Sequence, residues 1–223
     1  IGEYFKLLFN LDTKVKSYNL IKLSNQDYRI PKIESTHINS AWKYSAKHFK
    51  YPLKFKLKKK IFMYRDPRDT IVSLFYHRIY RNEDYKGNIN KFIREENGGI
   101  DTLLNFYESV FNHSKNQFII SYENLRNNTE EEIIKLLKFI NIPVELDLLR
   151  IAVYNCSFKK MKEKQTNKDN INDLVIGSKN KSENSQKVRK GKIGGYLDEL
   201  SIDDIKFINS KMQKYDFVVK MFV

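Results

Sequence analysis

The stretch KKKIFMYRDPRDTIVSLFYHRIYR, Lys58 to Arg81, decides how the chain is read. A short apolar run, Ile61 to Tyr64, has the composition of a strand and stops at Arg65. Pro67 then stands where a helix tolerates it best, at the first helical position. Asp66 is its cap, and Asp69 follows three residues later in capping-box fashion. Ile71, Phe75 and Ile79 recur every four residues, with Val72 and Tyr76 beside them, which predicts an amphipathic helix. Arg65 therefore sits at a strand tip directly before a helix start. The unpaired N–H groups and partial positive charge of that start favour a phosphate. Ser73 lies about 9 Å further along the axis, so an anion meets both side chains only by lying along the helix flank. The same spacing allows a plain ion pair of Arg65 with Asp66 or Asp69 and a solvated serine.

Working outward, the first thirty residues read as loosely helical, and PKIESTHI, Pro31 to Ile38, as a short strand with a polar end. Helical spacing returns in Ile100 to Asn112, and Gln117 to Glu123 reads as a third strand. Thr129 and Glu132 form a second capping-box pattern, opening a helix that runs through Ile140 and stops before Pro143. Val144 to Tyr154 is helical in pattern. Ser201 caps a last helix carrying Ile205, Ile208 and Met212. Residues 165–187 are polar and read as a long mobile loop or lid. Strands alternating with helices predict an α/β fold with a central, mainly parallel sheet covered on both faces. Ligands in such folds sit beyond the carboxyl ends of the strands.

The 223 residues fit a single domain, 1–223, able to bury a core without disulfides. The formal charge of +14 points to a polyanionic partner: nucleic acid, an acidic membrane face or a phosphorylated small molecule. Cys156 stands alone, which excludes an intrachain disulfide framework and fits a reducing, cytoplasmic setting. No apolar run reaches the length of a membrane span.

Two further clusters carry chemistry. VRKGKIGGY, Val188 to Tyr196, packs Arg189, Lys190 and Lys192 around Gly191, with Gly194 and Gly195 beyond. Glycine lets backbone N–H groups approach an oxyanion that the cations neutralise, although an isolated Arg-Lys-Gly is most often a basic surface turn. NCSFKKMKEKQTN, Asn155 to Asn167, combines a hydroxyl at Ser157 with Phe158 and Met161 three apart. An aromatic and a thioether can sandwich a purine, and they are equally ordinary core residues.

In order and spacing these pieces resemble the cytosolic-type sulfotransferases, which use 3′-phosphoadenosine 5′-phosphosulfate (PAPS), from about Pro31 to the C-terminal helix. The resemblance implies a P-loop NTPase-like, three-layer α/β/α fold. YRDPRDTIVSLFYH looks like the family's strand–helix motif for the 3′-phosphate, implying that Arg65 and Ser73 grip it. ISYENL looks like the next strand end, implying Tyr122 near the adenine. CSFKKMKE implies that Ser157, Phe158 and Met161 frame the nucleotide. RKGKIGGY implies that Arg189, Lys190 and Gly191 close over the 3′-phosphate, with Tyr196 where the family commonly has tryptophan. STH, Ser35 to His37, falls where the family carries Lys-Thr-His, implying His37 as the base; Ser35 removes one cation there. The implied product is the 3′,5′-bisphosphate (PAP), and no metal is implied.

The family also carries a loop reading roughly Pro-Lys-Ser-Gly-Thr-Thr-Trp for the 5′-phosphosulfate, several tens of residues before that histidine. Only 36 residues precede His37, and none match it. DTKVKSYN, Asp12 to Asn19, lacks a glycine. Because the chain opens at Ile1 rather than methionine, the expectation is that this loop and its strand precede the printed sequence. The alternative is a shortened homologue that binds PAP and catalyses weakly. A kinase is disfavoured, since no Gly-x-x-x-x-Gly-Lys-Ser/Thr loop or magnesium carboxylate set occurs. A basic nucleic-acid-binding module is a reading of another class, disfavoured by aromatics at core-periodic positions. The acceptor, a small molecule or a carbohydrate, and the oligomeric state, including a homodimer, stay open.

Overall fold

The computed structural model describes residues 1–12, 14–17, 19–34, 58–112, 116–160 and 191–222. The chain divides into two compact units, one from residues 1–37 and 123–169, the other from 38–122 and 170–223.

The second unit contains the sheet. Strands β1 (Lys60–Tyr64) and β2 (Gln117–Ser121) pair in parallel, with Lys60 opposite Gln117 and Tyr64 opposite Ser121. The expectation of an α/β fold with a parallel sheet is met. Parallel strands need a long crossover, and here it holds three helices: α3 (Pro67–His77), α4 (Ile89–Ile93) and α5 (Ile100–Asn112). These follow α1 (Gly2–Leu8) and α2 (Leu20–Ser24) in the chain. Alternation within β1 directs Phe62 and Tyr64 to one face, where both rings meet Tyr107 and Phe111 of α5 edge-on at 5.5–6.4 Å. Ile61 and Met63, on the opposite face, are 38% and 53% exposed.

Helix α3 forms as its spacing predicts. Asp66 is the N-cap and accepts from the Arg68 N–H, and Pro67 opens the helix. Ile71, Val72 and Leu74 are buried in a core with Phe92, Ile93, Ile100 and Leu104, while Ser73 is exposed. The helix widens into a π turn at Arg78–Asn82 and stops at Glu83, which is left-handed.

The last part of this unit is a 3₁₀ turn (Gly195–Asp198) leading into α9 (Ile202–Met212) and then α10 (Asp216–Phe222), so the helix capped by Ser201 is not the last. Ser201 accepts from the Asp204 N–H, and the buried Asp204 carboxylate takes bonds from Asn90 and Arg94 at 2.6 Å each and from Ser201 at 2.8 Å. Burial works to raise the Asp204 pKa, but the bonds from Arg94, Ser201 and Asn90 outweigh it and hold it below the ordinary value. A depressed carboxylate stabilises the fold above its unfolded pKa, and that contribution fades as pH falls through the lower folded value. Asp204→Asn is therefore expected to cost about 2 kcal/mol at neutral pH. Its urea midpoint should also fall less than the parent's on acidification below about pH 4. A variant that keeps the parent's full acid dependence would refute this account.

In the first unit, α1 and α2 share a core with α7 (Thr129–Phe139) and α8 (Leu146–Asn155), built from Tyr4, Phe5, Leu23, Leu137, Leu149 and Ala152. The buried Tyr4 hydroxyl donates to the Pro143 carbonyl (2.7 Å) and accepts from the Glu145 N–H (2.8 Å), so its polar end is satisfied. Three local expectations change. Thr129 does not cap α7: it is the first helical residue, and its hydroxyl donates to Leu125 O in the last turn of α6 (Tyr122–Asn127) at 2.7 Å. Glu132 turns to Lys135 instead. Carbonyls at a helix end lack partners, and the α6 end lies close enough to capture the hydroxyl. Strand β2 gives way to α6 at Tyr122, two residues before its expected end. Pro31 to Glu34 has no regular structure, and the rest of that expected strand lies outside the described residues.

Candidate functional site

Strand register assembles the site. Because Tyr64 pairs with Ser121, the next residues, Arg65 and Tyr122, leave the sheet side by side at its carboxyl edge. The Arg65 guanidinium lies over the Tyr122 ring at 4.5 Å, a cation–π contact. The backbone at this strand tip is held by buried Tyr107, whose hydroxyl donates to Arg65 O (3.0 Å) and accepts from Arg65 N (3.3 Å).

The Gly191–Tyr196 turn comes to the same place from far along the chain. Arg65 Nη2 donates to Lys192 O at 2.7 Å and to Asp69 Oδ2 at 3.0 Å. Asp69, 3% exposed, also accepts from the Gly194 N–H at Oδ2 and the Tyr196 N–H at Oδ1, both at 2.9 Å. The Tyr122 hydroxyl makes a long bond to Gly191 O, 3.4 Å. Gly194 has φ +72°, a conformation that an L side chain adopts at a cost, in a turn that presents the Gly194 and Tyr196 N–H groups to one carboxylate. Below it the Arg68 guanidinium bonds both carboxylate oxygens of Asp66 and lies over the Tyr196 ring at 4.7 Å. The Asp66 bonds hold the Arg68 pKa above its usual value.

The ion pair that the spacing allowed, Arg65 with Asp69, is formed. It does not exhaust the guanidinium: Nε is buried with no hydrogen-bond partner among the described residues. A buried N–H of this kind is costly to leave unmade, and it lies beside the α3 N-terminus, where an anion is favoured. The arrangement can hold a phosphate oxygen.

Of the residues expected at the site, Arg65, Tyr122 and Gly191 are brought together. Ser73 is exposed on the α3 flank, a full turn beyond Asp69. Ser157 and Phe158 belong to the first unit, just past α8: the Ser157 hydroxyl accepts from the Lys160 N–H, and the Phe158 ring faces Arg126 at 5.3 Å. His37, Met161, Arg189, Lys190 and the 165–187 loop lie outside the described residues. The sequence reading offered Asp69 as part of a capping box or as an ion-pair partner of Arg65, and missed its bonds to the Gly194 and Tyr196 N–H groups. The one available signal was an acid in the first turn of a helix that follows a strand-tip arginine, and it does not name a partner 125 residues away. No group of three or more His, Cys, Asp or Glu able to hold a metal occurs among the described residues, nor does a helix long and apolar enough to cross a membrane.

Comparison with known proteins bears on this geometry. The chain is 25% identical over 171 residues to Sulfotransferase 2A1 of Macaca fascicularis, covering 70% of this chain and 55% of the relative. With Sulfotransferase 2A1 of Homo sapiens it shares 27% over 161 residues, 65% of this chain and 51% of the relative. It thus spans about half the length of these curated relatives. Among solved structures it matches mouse sulfotransferase SULT7A1 complexed with PAP (TM-score 0.58, 20% identity, 72% of this chain and 60% of that one). It also matches retinol dehydratase in complex with androsterone and inactive cofactor PAP (TM-score 0.59, 18% identity, 74% and 49%). At these identities the two structures establish a shared fold. The family model described as "Sulfotransferase domain" matches residues 13–217, most of the sequence, and the chain belongs to that family.

Proposed function

We propose that the protein is a sulfotransferase that takes a sulfuryl group from PAPS and passes it to a hydroxyl or amine of a small molecule or carbohydrate. The observation that carries this reading is the Arg65 site: a strand-tip guanidinium with a buried, unpartnered Nε, stacked on Tyr122, against a glycine turn at a helix N-terminus. That chemistry suits the 3′-phosphate of the donor, and the two solved relatives hold PAP. In this reading Arg65, Ser73, Arg189, Lys190 and Gly191 hold the 3′-phosphate. Tyr122, Ser157, Phe158 and Met161 frame the adenosine, and His37 serves as the base. The acceptor atom forms a bond to sulfur as the bond from sulfur to the bridging phosphate oxygen breaks. The acceptor proton passes to His37, and PAP leaves with the electron pair.

The test is thermal unfolding at moderate salt with and without PAP. A ligand of the native state at about a hundredfold excess over its Kd adds roughly 2.7 kcal/mol, a clear rise in Tm. A flat response to PAP beside a salt-sensitive rise with RNA would replace this reading with that of a basic nucleic-acid-binding module.

A further inference from the structure

We propose that Asp69 is a positioning residue for the phosphate grip, acting through Arg65 and the glycine turn without touching the ligand. This rests on the donor-binding reading above. Asp69 is 3% exposed, and its carboxylate collects three donors: Arg65 Nη2, the Gly194 N–H and the Tyr196 N–H. Arg65 Nη2 also donates to Lys192 O. One carboxylate and one guanidinium nitrogen therefore tie the α3 N-terminus to the backbone of residues 192, 194 and 196.

Two effects of Asp69 oppose each other. Its negative charge repels a phosphate bound at Arg65. Against that, it fixes the orientation of a side chain that is otherwise rich in rotamers, and it fixes a glycine-rich turn whose backbone freedom is the greatest of any sequence. Arg65 Nη2 is engaged, and the buried Nε is left without a partner among the described residues, a donor for an anion. The repulsion is weakened because all the strong donors around Asp69 already face its oxygens. Pre-organisation prevails, and Asp69 tightens phosphate binding.

The amide of Asp69→Asn cannot accept at both ends, so at least one of the three donors loses its acceptor. The experiment compares affinities for PAP and for adenosine 5′-monophosphate, which lacks the 3′-phosphate, in the parent, Asp69→Asn, Arg65→Ala and the double variant. The ratio of the two affinities is expected to fall about tenfold in Asp69→Asn, with little further loss when Asp69→Asn is added to Arg65→Ala. A merely structural aspartate would lower stability and leave that ratio where it was. An unchanged ratio, tighter PAP binding, or losses that multiply in the double variant would each overturn the inference while leaving the donor reading in place. A parent that does not favour PAP over the monophosphate would take the donor reading down as well. Gly194→Ala is the second variant, should Asp69→Asn not fold. Nothing lies within 4 Å of its new Cβ, so it disturbs the turn through the φ of +72° alone, and it is expected to produce the same selective loss.

Discussion

Arg65→Ala is expected to weaken PAP binding about a hundredfold while changing binding of adenosine 5′-monophosphate far less. The guanidinium supplies a formal charge and, at Nε, an unfilled donor at the carboxyl end of β1. A charge-assisted bond to a partly desolvated phosphate contributes about 1.5–3 kcal/mol, which corresponds to tenfold or more. Arg65 also stacks on Tyr122 and holds Lys192 O, so its removal loosens the ring and the turn together, which enlarges the loss. Fold stability should suffer much less. Asp69 keeps the Gly194 and Tyr196 N–H groups as partners, so its buried carboxylate is not stripped bare. Calorimetric titration of both nucleotides, with urea unfolding as the control, separates the two effects. If the variant retains the parent's preference for PAP, the phosphate is not bound at the tip of β1.

The local signals in the sequence were strong where one element satisfied its own needs. Asp66 as cap, Pro67 at the first helical position and the burial of Ile71 and Val72 require only neighbours in the chain and appear as read, whereas Ile79 of the expected face falls in the π turn and Leu74, not in that face, is buried. The reading failed where a polar group had two competing partners. Asp69 and Thr129 both fit a capping box, but Asp69 is claimed by N–H groups of the Gly194–Tyr196 turn and Thr129 by Leu125 O. Those partners depend on tertiary packing, and no spacing rule carries them. The strand-tip position of Arg65 was legible, as was the proximity of the glycine cluster through family resemblance. What could not be read was that the ion pair and the candidate phosphate site coexist on one guanidinium, since they use different nitrogens. The first-unit residues Ser157 and Phe158 show the reverse difficulty: their motif was visible, yet the partners found for them, Lys160 and Arg126, lie within their own unit.

His37→Ala is expected to reduce sulfuryl transfer by a factor of about 10² to 10⁴, the usual contribution of a positioned general base, while the Tm rise produced by PAP stays at the parent's value. The separation follows from the roles proposed. The base meets the acceptor's proton and has no bond to the bisphosphate, whereas Arg65 and its turn meet the phosphate and no reacting atom. An imidazole of unperturbed pKa near 6.5 accepts that proton in neutral solution and loses the ability as it becomes protonated. The parent's rate should therefore decline on acidification, and the residual rate of the variant should lack that decline. The measurement is transfer of labelled sulfate from PAPS to a panel of phenols, alcohols, amines and sugars, using the complete reading frame so that any residues preceding Ile1 are present. Turnover at the parent's level in His37→Ala would remove this histidine from the base role. A parallel loss of the PAP-dependent Tm rise would instead place it among the nucleotide-binding groups, and the proton would need another acceptor.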